Sequence, residues 1–180
     1  MVRRDYRETL DIPDGVTVTV ANGIVTAKGS RGELSRDCLA RSVTITADDK
    51  ALVLAAPATA RRKNALFTTK AHLKNMLYGV NEGYTYKLKI CSGHFPMTVT
   101  AKDKELEVKN FIGEKVPRTL NIKEGADVKV DGDIIEVTAN DKELAGQVAA
   151  DIENLTKRPG FDRRVFQDGI YITDKPKRTM

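Results

Sequence analysis

The sequence predicts a protein of the α+β class that consists of two copies of one domain. In each half of its 180 residues, apolar and polar residues alternate in runs joined by short turns, which is typical of antiparallel β-hairpins. Each half then ends in a segment whose apolar residues have helical spacing. The same order of strands and helix in both halves indicates a duplication.

In the first half, two hairpins precede a helix. Residues 16–34 alternate around Asn22-Gly23, a dipeptide that favours tight hairpin turns, and residues 42–56 alternate around a second turn. The apolar residues of the following helix are spaced by seven, four and three positions and so lie on one face: Leu66, Leu73, Leu77 and Val80. The glycines of KGSRG, residues 28–32, favour a turn into the next strand, and a phosphate contact is the alternative for this GxxG motif.

The second half repeats this order. Residues 97–115 alternate around a turn at residues 102–104, and residues 127–141 form the second predicted hairpin. Helical spacing follows at Leu144, Val148, Ile152 and Leu155. Asn140, with Glu143 three residues later, predicts a capping box at the start of this helix.

Each half therefore predicts an antiparallel sheet of about four strands covered by one helix, because a sheet with one apolar face needs another layer to bury it. We expect domains at residues 1–80 and 81–156, joined near residues 79–83. Residues 157–180 are expected to form a basic C-terminal extension, with a short strand in FQDGIYI, residues 166–172.

The charge of the chain is concentrated at this extension. Seven basic and three acidic side chains give residues 157–180 a net charge of +4, out of +5 for the whole chain. Such an imbalance indicates an anionic partner, nucleic acid first and a membrane surface second, whereas a solvated basic tail is the alternative. Phe161, Phe166 and Tyr171 are interleaved with the basic residues, a combination that suits phosphate contact together with base stacking.

Composition argues against several other classes of protein. Fractions of 41% hydrophobic and 31% charged residues are typical of soluble globular proteins, and we find no signal peptide and no bilayer-spanning run. Cys38, Cys91, His72 and His94 are scattered, so we expect no metal site. We expect no cofactor either, since no nucleotide-binding or hydrolase motif is present.

Five segments of the sequence resemble the universal large-subunit ribosomal protein L6 family. They are IPDGVTVTV, VTAKGSRGEL, TTKAHLKNMLYGVNEGYTYKLKI, SGHFP and FQDGIYI, in the family's order and across almost the whole chain. SGHFP stands where bacterial members carry a Ser-His-Pro loop, and the bacterial Tyr-Lys-Gly-Lys-Gly run is lacking. DRRVFQDGIYI is similar instead to the archaeal and eukaryotic branch.

The resemblance implies a cytoplasmic, ribosome-bound protein that binds large-subunit rRNA near the sarcin–ricin stem-loop and the stalk base. It implies neighbouring ribosomal proteins as further partners, and neither a membrane nor a small-molecule substrate. The RNA contacts that it implies in the extension are Lys157, Arg158, Arg163, Arg164, Lys175, Lys177 and Arg178. Those that it implies in loops of the second domain are Ser92, His94, Lys109, Asn110 and Lys115.

Two other functions compete with this interpretation. A free-standing protein-interaction module would bind partner strands at exposed sheet edges, independently of salt. A small hydrolase would use His94 with Cys91 or Ser92, but the sequence offers no evident carboxylate to orient the histidine. We therefore expect an RNA-binding protein without catalysis.

Overall fold

The protein is described by a computed structural model that covers residues 5–38, 43–48, 50–102, 104–162 and 164–176. It divides into two compact units, Met1–Gly83 and Tyr84–Met180. Neither helix of the described chain has the length and apolar character that a membrane-spanning helix needs.

The first unit contains a helix, α1 (Ala60–Asn81), and six strands in its described part. The strands are β1 (Tyr6–Asp11), β2 (Thr17–Ala21), β3 (Ile24–Gly29), β4 (Gly32–Asp37), β5 (Thr44–Ala47) and β6 (Ala51–Ala56). They form two antiparallel sheets, in the orders β2-β3-β4 and β1-β6-β5. Asn22 and Gly23 join β2 to β3 with φ angles of 50° and 80°, as the predicted hairpin turn requires.

The second unit contains a helix, α2 (Lys142–Leu155), a short 3₁₀ turn (Phe111–Gly113) and seven strands in its described part. The strands are β7 (Tyr84–Cys91), β8 (Thr98–Lys102), β9 (Glu105–Lys109), β10 (Arg118–Asn121), β11 (Ala126–Asp131), β12 (Ile134–Ala139) and β13 (Gly169–Asp174). Their sheets have the orders β10-β9-β8 and β11-β12-β7-β13, and every pairing is antiparallel.

Both helices bury the faces that their spacing predicts. In α1 the predicted apolar residues are all buried, and they share a hydrophobic core with strand residues such as Val25 and Leu52. In α2, Val148 and Ile152 are buried, while Leu144 and Leu155 pack at the margin of the second core. Burial of about 25 cal/mol per Å² of apolar surface makes these cores the main stabilising contribution to each unit.

The predicted duplication and the α+β class are confirmed, but each described unit has two sheets and more strands than the predicted four. The additional strands include β1 and β10, which lie at sheet edges and bury little apolar surface. An edge strand needs few apolar residues, so its alternation is weak in the sequence. Asp103, in the predicted turn of the first hairpin of the second half, lies outside the described residues.

The predicted capping box at Asn140 is wrong, because α2 begins one residue later than that pattern requires. Lys142 is its first residue, and Asp141 is the N-cap, whose side chain accepts a hydrogen bond from the backbone N–H of Glu143 at 3.0 Å. Aspartate is as good an N-cap as asparagine, so residue type alone does not separate the two positions.

Part of the predicted extension belongs to the sheet of the second unit. The short strand predicted in FQDGIYI is present as β13, which pairs with β7 at the sheet edge. Ile170, the second residue of β13, is 1% exposed and lies in the hydrophobic core. The hydroxyl of Thr156, at the end of α2, accepts the backbone N–H of Ile170 at 2.9 Å. Residues 157–168 therefore form a connection with both ends fixed.

Candidate nucleic-acid interface

The carboxylate of Asp168 fixes the loop that follows β7. Gly169 pairs with Cys91, so the residue before β13 and the residues after β7 meet at the same end of this antiparallel pair. Asp168 Oδ1 accepts hydrogen bonds from the backbone N–H groups of Gly93, at 2.6 Å, and His94, at 3.0 Å. Asp168 Oδ2 lies 2.5 Å from Nδ1 of His94. The loop of residues 92–96 is thereby attached to the start of β13.

The folded protein favours the ionised form of Asp168. Burial of this carboxyl group, which is 8% exposed, would by itself raise its pKa. The hydrogen bonds from the backbone and ring of His94 and from the backbone of Gly93 together outweigh burial and hold the pKa below its ordinary value. Asp168 therefore acts as a fixed anionic acceptor beneath the loop.

Four side chains continue outward from Asp168 in a row. The rings of His94 and Phe166 have centroids 5.5 Å apart, and Phe166 meets Phe161 edge to face at 5.0 Å. The guanidinium carbon of Arg158 lies 4.3 Å from the centroid of the Phe161 ring, which is a cation–π contact. We call Arg158, Phe161, Phe166 and His94 the aromatic row, which joins the connection of residues 157–168 to the loop of residues 92–96.

Asp162 organises the connection internally. Its carboxylate accepts hydrogen bonds from the backbone N–H and the guanidinium of Arg164, and its carbonyl accepts the N–H groups of Val165 and Phe166. The Arg164 side-chain hydrogen bond is the main cause that lowers the pKa of Asp162. The side chain of Arg164 remains 91% exposed, so it stays accessible to an anionic partner. This part of the predicted extension has a defined turn.

A second loop, residues 109–115, contacts the first. Asn110 has a left-handed backbone, with a φ of 56°, and its side-chain amide donates a hydrogen bond to the carbonyl of Pro96 at 2.9 Å. The ring of Phe95 lies beside Gly113, where an added Cβ would be 3.9 Å from it. The side-chain amide of Asn110 thus holds the two loops together.

Arg118 links this second loop to the end of α2. Its guanidinium donates to both carboxylate oxygens of Glu114, at 2.8 and 2.6 Å, and to the carbonyl of Leu155 at 2.6 Å. It also lies 4.5 Å from the ring centroid of the buried Phe111. The hydrogen bond from Arg118 is the main cause that lowers the pKa of Glu114, and the charge of Arg158 lowers it further.

These segments enclose a pocket of about 160 Å³. Its walls come from the end of α2, the connection, the second loop and the start of β13. The lining residues are Ile112, Glu153, Asn154, Thr156, Lys157, Arg158, Phe161, Phe166, Asp168, Ile170 and Tyr171. The pocket therefore combines basic and aromatic side chains with a few polar groups.

The structure brings most of the predicted RNA contacts to one set of adjoining segments. Ser92 and His94 lie in the first loop, and Lys109, Asn110 and Lys115 lie in the second, which begins at the last residue of β9. The connection carries Lys157, Arg158 and Arg164. Lys109 forms an ion pair of 3.2 Å with Glu107, whereas Lys115 and Lys157 are exposed.

Among the described residues, one predicted contact is not part of this set. Lys175 follows the far end of β13, about 23 Å from Asp168 at the usual rise per strand residue. Arg163, Lys177 and Arg178 lie outside the described residues.

The arrangement does not support hydrolysis. The sequence revealed no carboxylate to orient His94, and the structure corrects this, because Asp168 binds Nδ1 of its ring. Within the described ranges, however, neither Cys91 nor Ser92 hydrogen-bonds to His94, so the pair lacks a nucleophile. In the same ranges, no group of three or more His, Cys, Asp or Glu residues is placed to hold a metal ion.

Sequence reasoning missed the roles of Asp168 and Arg118. Both bind residues on other elements, 74 positions away for Asp168 with His94 and 37 for Arg118 with Leu155. One signal was available for Asp168, which is an acidic residue inside a basic segment and directly precedes the glycine that starts a strand.

Comparison with known proteins places both units in one family. The family model described as Ribosomal protein L6 matches residues 12–83 and 95–169, once in each unit. Three proteins named large ribosomal subunit protein uL6 are similar to the chain over nearly its whole length. That of Methanobrevibacter smithii is 43% identical over 97% of this chain and 99% of its own. That of Methanococcus vannielii is 39% identical over 97% of this chain and 96% of its own. That of Haloquadratum walsbyi is 37% identical over 96% of this chain and 97% of its own.

Proposed function

The chain belongs to the ribosomal protein L6 family, and from this premise we propose that it binds rRNA as a structural protein of the large ribosomal subunit. Its relatives are named as ribosomal proteins and not as enzymes, in agreement with the expected lack of catalysis. Its place of action is the ribosome in the cytoplasm.

The observation that carries this proposal is the attachment of two loops and a basic connection to one another through Asp168, Asn110 and the aromatic row. Exposed cations on these segments, among them Lys115 and Lys157, bind phosphates and release counterions from the RNA. Because the segments are fixed in the free protein, they recognise a folded RNA surface by its shape, with little loss of conformational entropy on binding.

We place the RNA contact at the sarcin–ricin region of the large-subunit rRNA, with ribosomal proteins of the stalk base as neighbours. The support is the resemblance of SGHFP and DRRVFQDGIYI to the family, since these motifs supply the first loop and the connection. Eight residues of the two loops and the connection form this contact: Ser92, His94, Lys109, Asn110, Lys115, Lys157, Arg158 and Arg164. We propose that Lys175, together with Arg163, Lys177 and Arg178, adds contacts to the phosphate backbone.

The test measures affinity for an rRNA fragment that contains the sarcin–ricin region, across a series of salt concentrations. We expect Lys115→Ala combined with Lys157→Ala to weaken binding and to reduce the slope of log K against log salt by about one for each lost phosphate contact. The charge-matched control combines Lys104→Ala with Lys129→Ala, because both of these lysines are exposed on other parts of the second unit.

Point substitutions are preferable to truncation in this test. A chain that ends at Thr156 would lose β13, the core residue Ile170 and the carboxylate of Asp168. Weaker binding of that chain would therefore reflect unfolding at the edge of the sheet and not the loss of RNA contacts. Equal effects of the two double substitutions, or affinity that is independent of salt, would contradict the proposal and favour binding of protein partners at sheet edges.

A further inference from the structure

We propose that the pocket beside the aromatic row binds a single unstacked RNA base. This inference rests on the proposed function and adds the chemical class of group that the site recognises. Three features support it: the size of the pocket, its aromatic walls, and the side chains of Glu153 and Asn154, which hydrogen-bond to no residue of the described chain.

The size of the pocket suits one heterocyclic base. A cavity needs about 10–15 Å³ on the same measure to hold one water molecule, so a pocket of about 160 Å³ has room for a group much larger than water. Such a space is too small for a duplex, and two basic residues of the connection, Lys157 and Arg158, are among the residues that line it. A base that leaves its stack can enter it while its sugar and phosphate stay outside.

The walls supply aromatic surfaces that the fold leaves uncovered. Phe161 and Phe166 line the pocket, and each of them is 37% exposed, although both rings are held in place by their edge-to-face contact. Exposed phenylalanine rings at fixed positions are costly in water, and stacking of a base on them removes this surface. Arg158, already over the ring of Phe161, lies where it can pair with the phosphate of the same nucleotide.

The polar groups of the pocket fall into two kinds. Thr156 and Asp168 are committed to the protein, through bonds to Ile170 and to the first loop. The side chains of Glu153 and Asn154, in contrast, hydrogen-bond to no residue in the described part of the chain. A carboxylate and an amide together can accept from and donate to the Watson–Crick edge of a base, which is free only when that base is unpaired.

The experiment uses the full chain and two RNA hairpins that differ by one nucleotide, a bulged 2-aminopurine present in one and absent from the other. We expect the bulged hairpin to bind about tenfold more tightly, and its 2-aminopurine emission to change as the base enters the pocket. Phe166→Ala should lower the affinity for the bulged hairpin about tenfold more than the affinity for the paired hairpin, so that the preference for the bulge is lost. Phe67→Ala, which truncates an exposed ring in the first unit, is the matched control.

Asn154→Ala is the second variant, because this exposed side chain has no structural partner in the described residues and its loss leaves the aromatic row intact. It should reduce the preference for the bulge in the same direction. Equal affinity of the wild-type protein for both hairpins, or an equal loss on both with Phe166→Ala, would overturn the base pocket alone. A lack of binding to either hairpin would instead contradict the proposed function.

Discussion

At the scale of single residues, the carboxylate of Asp168 fixes the first loop of the second unit. This carboxylate accepts hydrogen bonds from two backbone N–H groups and contacts the imidazole of His94. The two N–H groups belong to a loop without regular secondary structure, so no strand or helix supplies them with another acceptor. Hydrogen bonds to a charged acceptor contribute about 1.5–3 kcal/mol each, more than neutral ones. The positions of the first loop and of His94 therefore depend on this ionised side chain.

Asp168→Asn should lower the free energy of unfolding by about 2 kcal/mol at neutral pH, because the amide keeps the shape of the side chain and loses its charge. The pKa of Asp168 is lower in the folded than in the unfolded state, so its contribution is present above its ordinary pKa near 4. It is lost as the pH falls through the folded value. The difference between the two proteins, measured by urea unfolding at a series of pH values, should shrink in that acidic window.

Asp162→Asn is the control for this pH dependence, because Asp162 lies in the same segment and is exposed, with Arg164 as its partner. It should change stability much less. If the difference in the free energy of unfolding between wild type and Asp168→Asn stays constant from neutral to acidic pH, the charge of Asp168 is not what stabilises the loop.

At the scale of elements, Thr156 couples the end of α2 to β13. Its buried hydroxyl donates to the carbonyl of Glu153 and accepts the backbone N–H of Ile170. Thr156→Val keeps the volume and leaves that buried N–H without an acceptor, so we expect a loss of about 1–3 kcal/mol. Hydrogen exchange should accelerate at the Ile170 amide before it does so elsewhere in the sheet.

Thr173→Val is the matched control in the same strand, since the hydroxyl of Thr173 donates to the carbonyl of Lys87 at an exposed position. Water replaces this bond when the hydroxyl is lost, so the protection of Ile170 should not change. If both variants accelerate exchange equally, the Thr156 hydroxyl is not the link between the two elements.

The elements also show how far the sequence could be read. Hairpins and helices were predictable because their patterns are local, as at Asn22-Gly23 and along α2. The charges of the site were predictable from composition alone. The pairing of β13 with β7 and the contact of Asp168 with His94 were not predictable, because residues more than 70 positions apart meet only through the tertiary fold. The edge strands β1 and β10 were missed because they bury little apolar surface.

At the scale of the whole molecule, each unit has its own hydrophobic core. The proposed RNA site lies entirely in the second unit, so the stability of the first unit and the affinity for RNA should vary independently. Domains with separate cores are expected to unfold as separate cooperative transitions.

Leu52→Ala tests this independence, because Leu52 is fully buried in the core of the first unit. We expect it to destabilise that unit by about 2–5 kcal/mol and to shift one of two calorimetric transitions. Ile135→Ala, at an equally buried position of the second core, should shift the other transition. RNA affinity should persist with Leu52→Ala at temperatures where the second unit is folded. A single transition that both substitutions lower together would refute independent units.

The separation of His94 from Asp168 along the chain also has a consequence for biosynthesis. Translation adds about 5–20 residues per second, so the 74 positions between them correspond to about 4–15 s of elongation. During that interval the loop after β7 has been made and its carboxylate partner has not. The first unit can acquire its fold in this time, whereas the proposed RNA site can form only after Asp168 and β13 have been synthesised. The order of synthesis thus separates the making of the loop from the making of the carboxylate that fixes it.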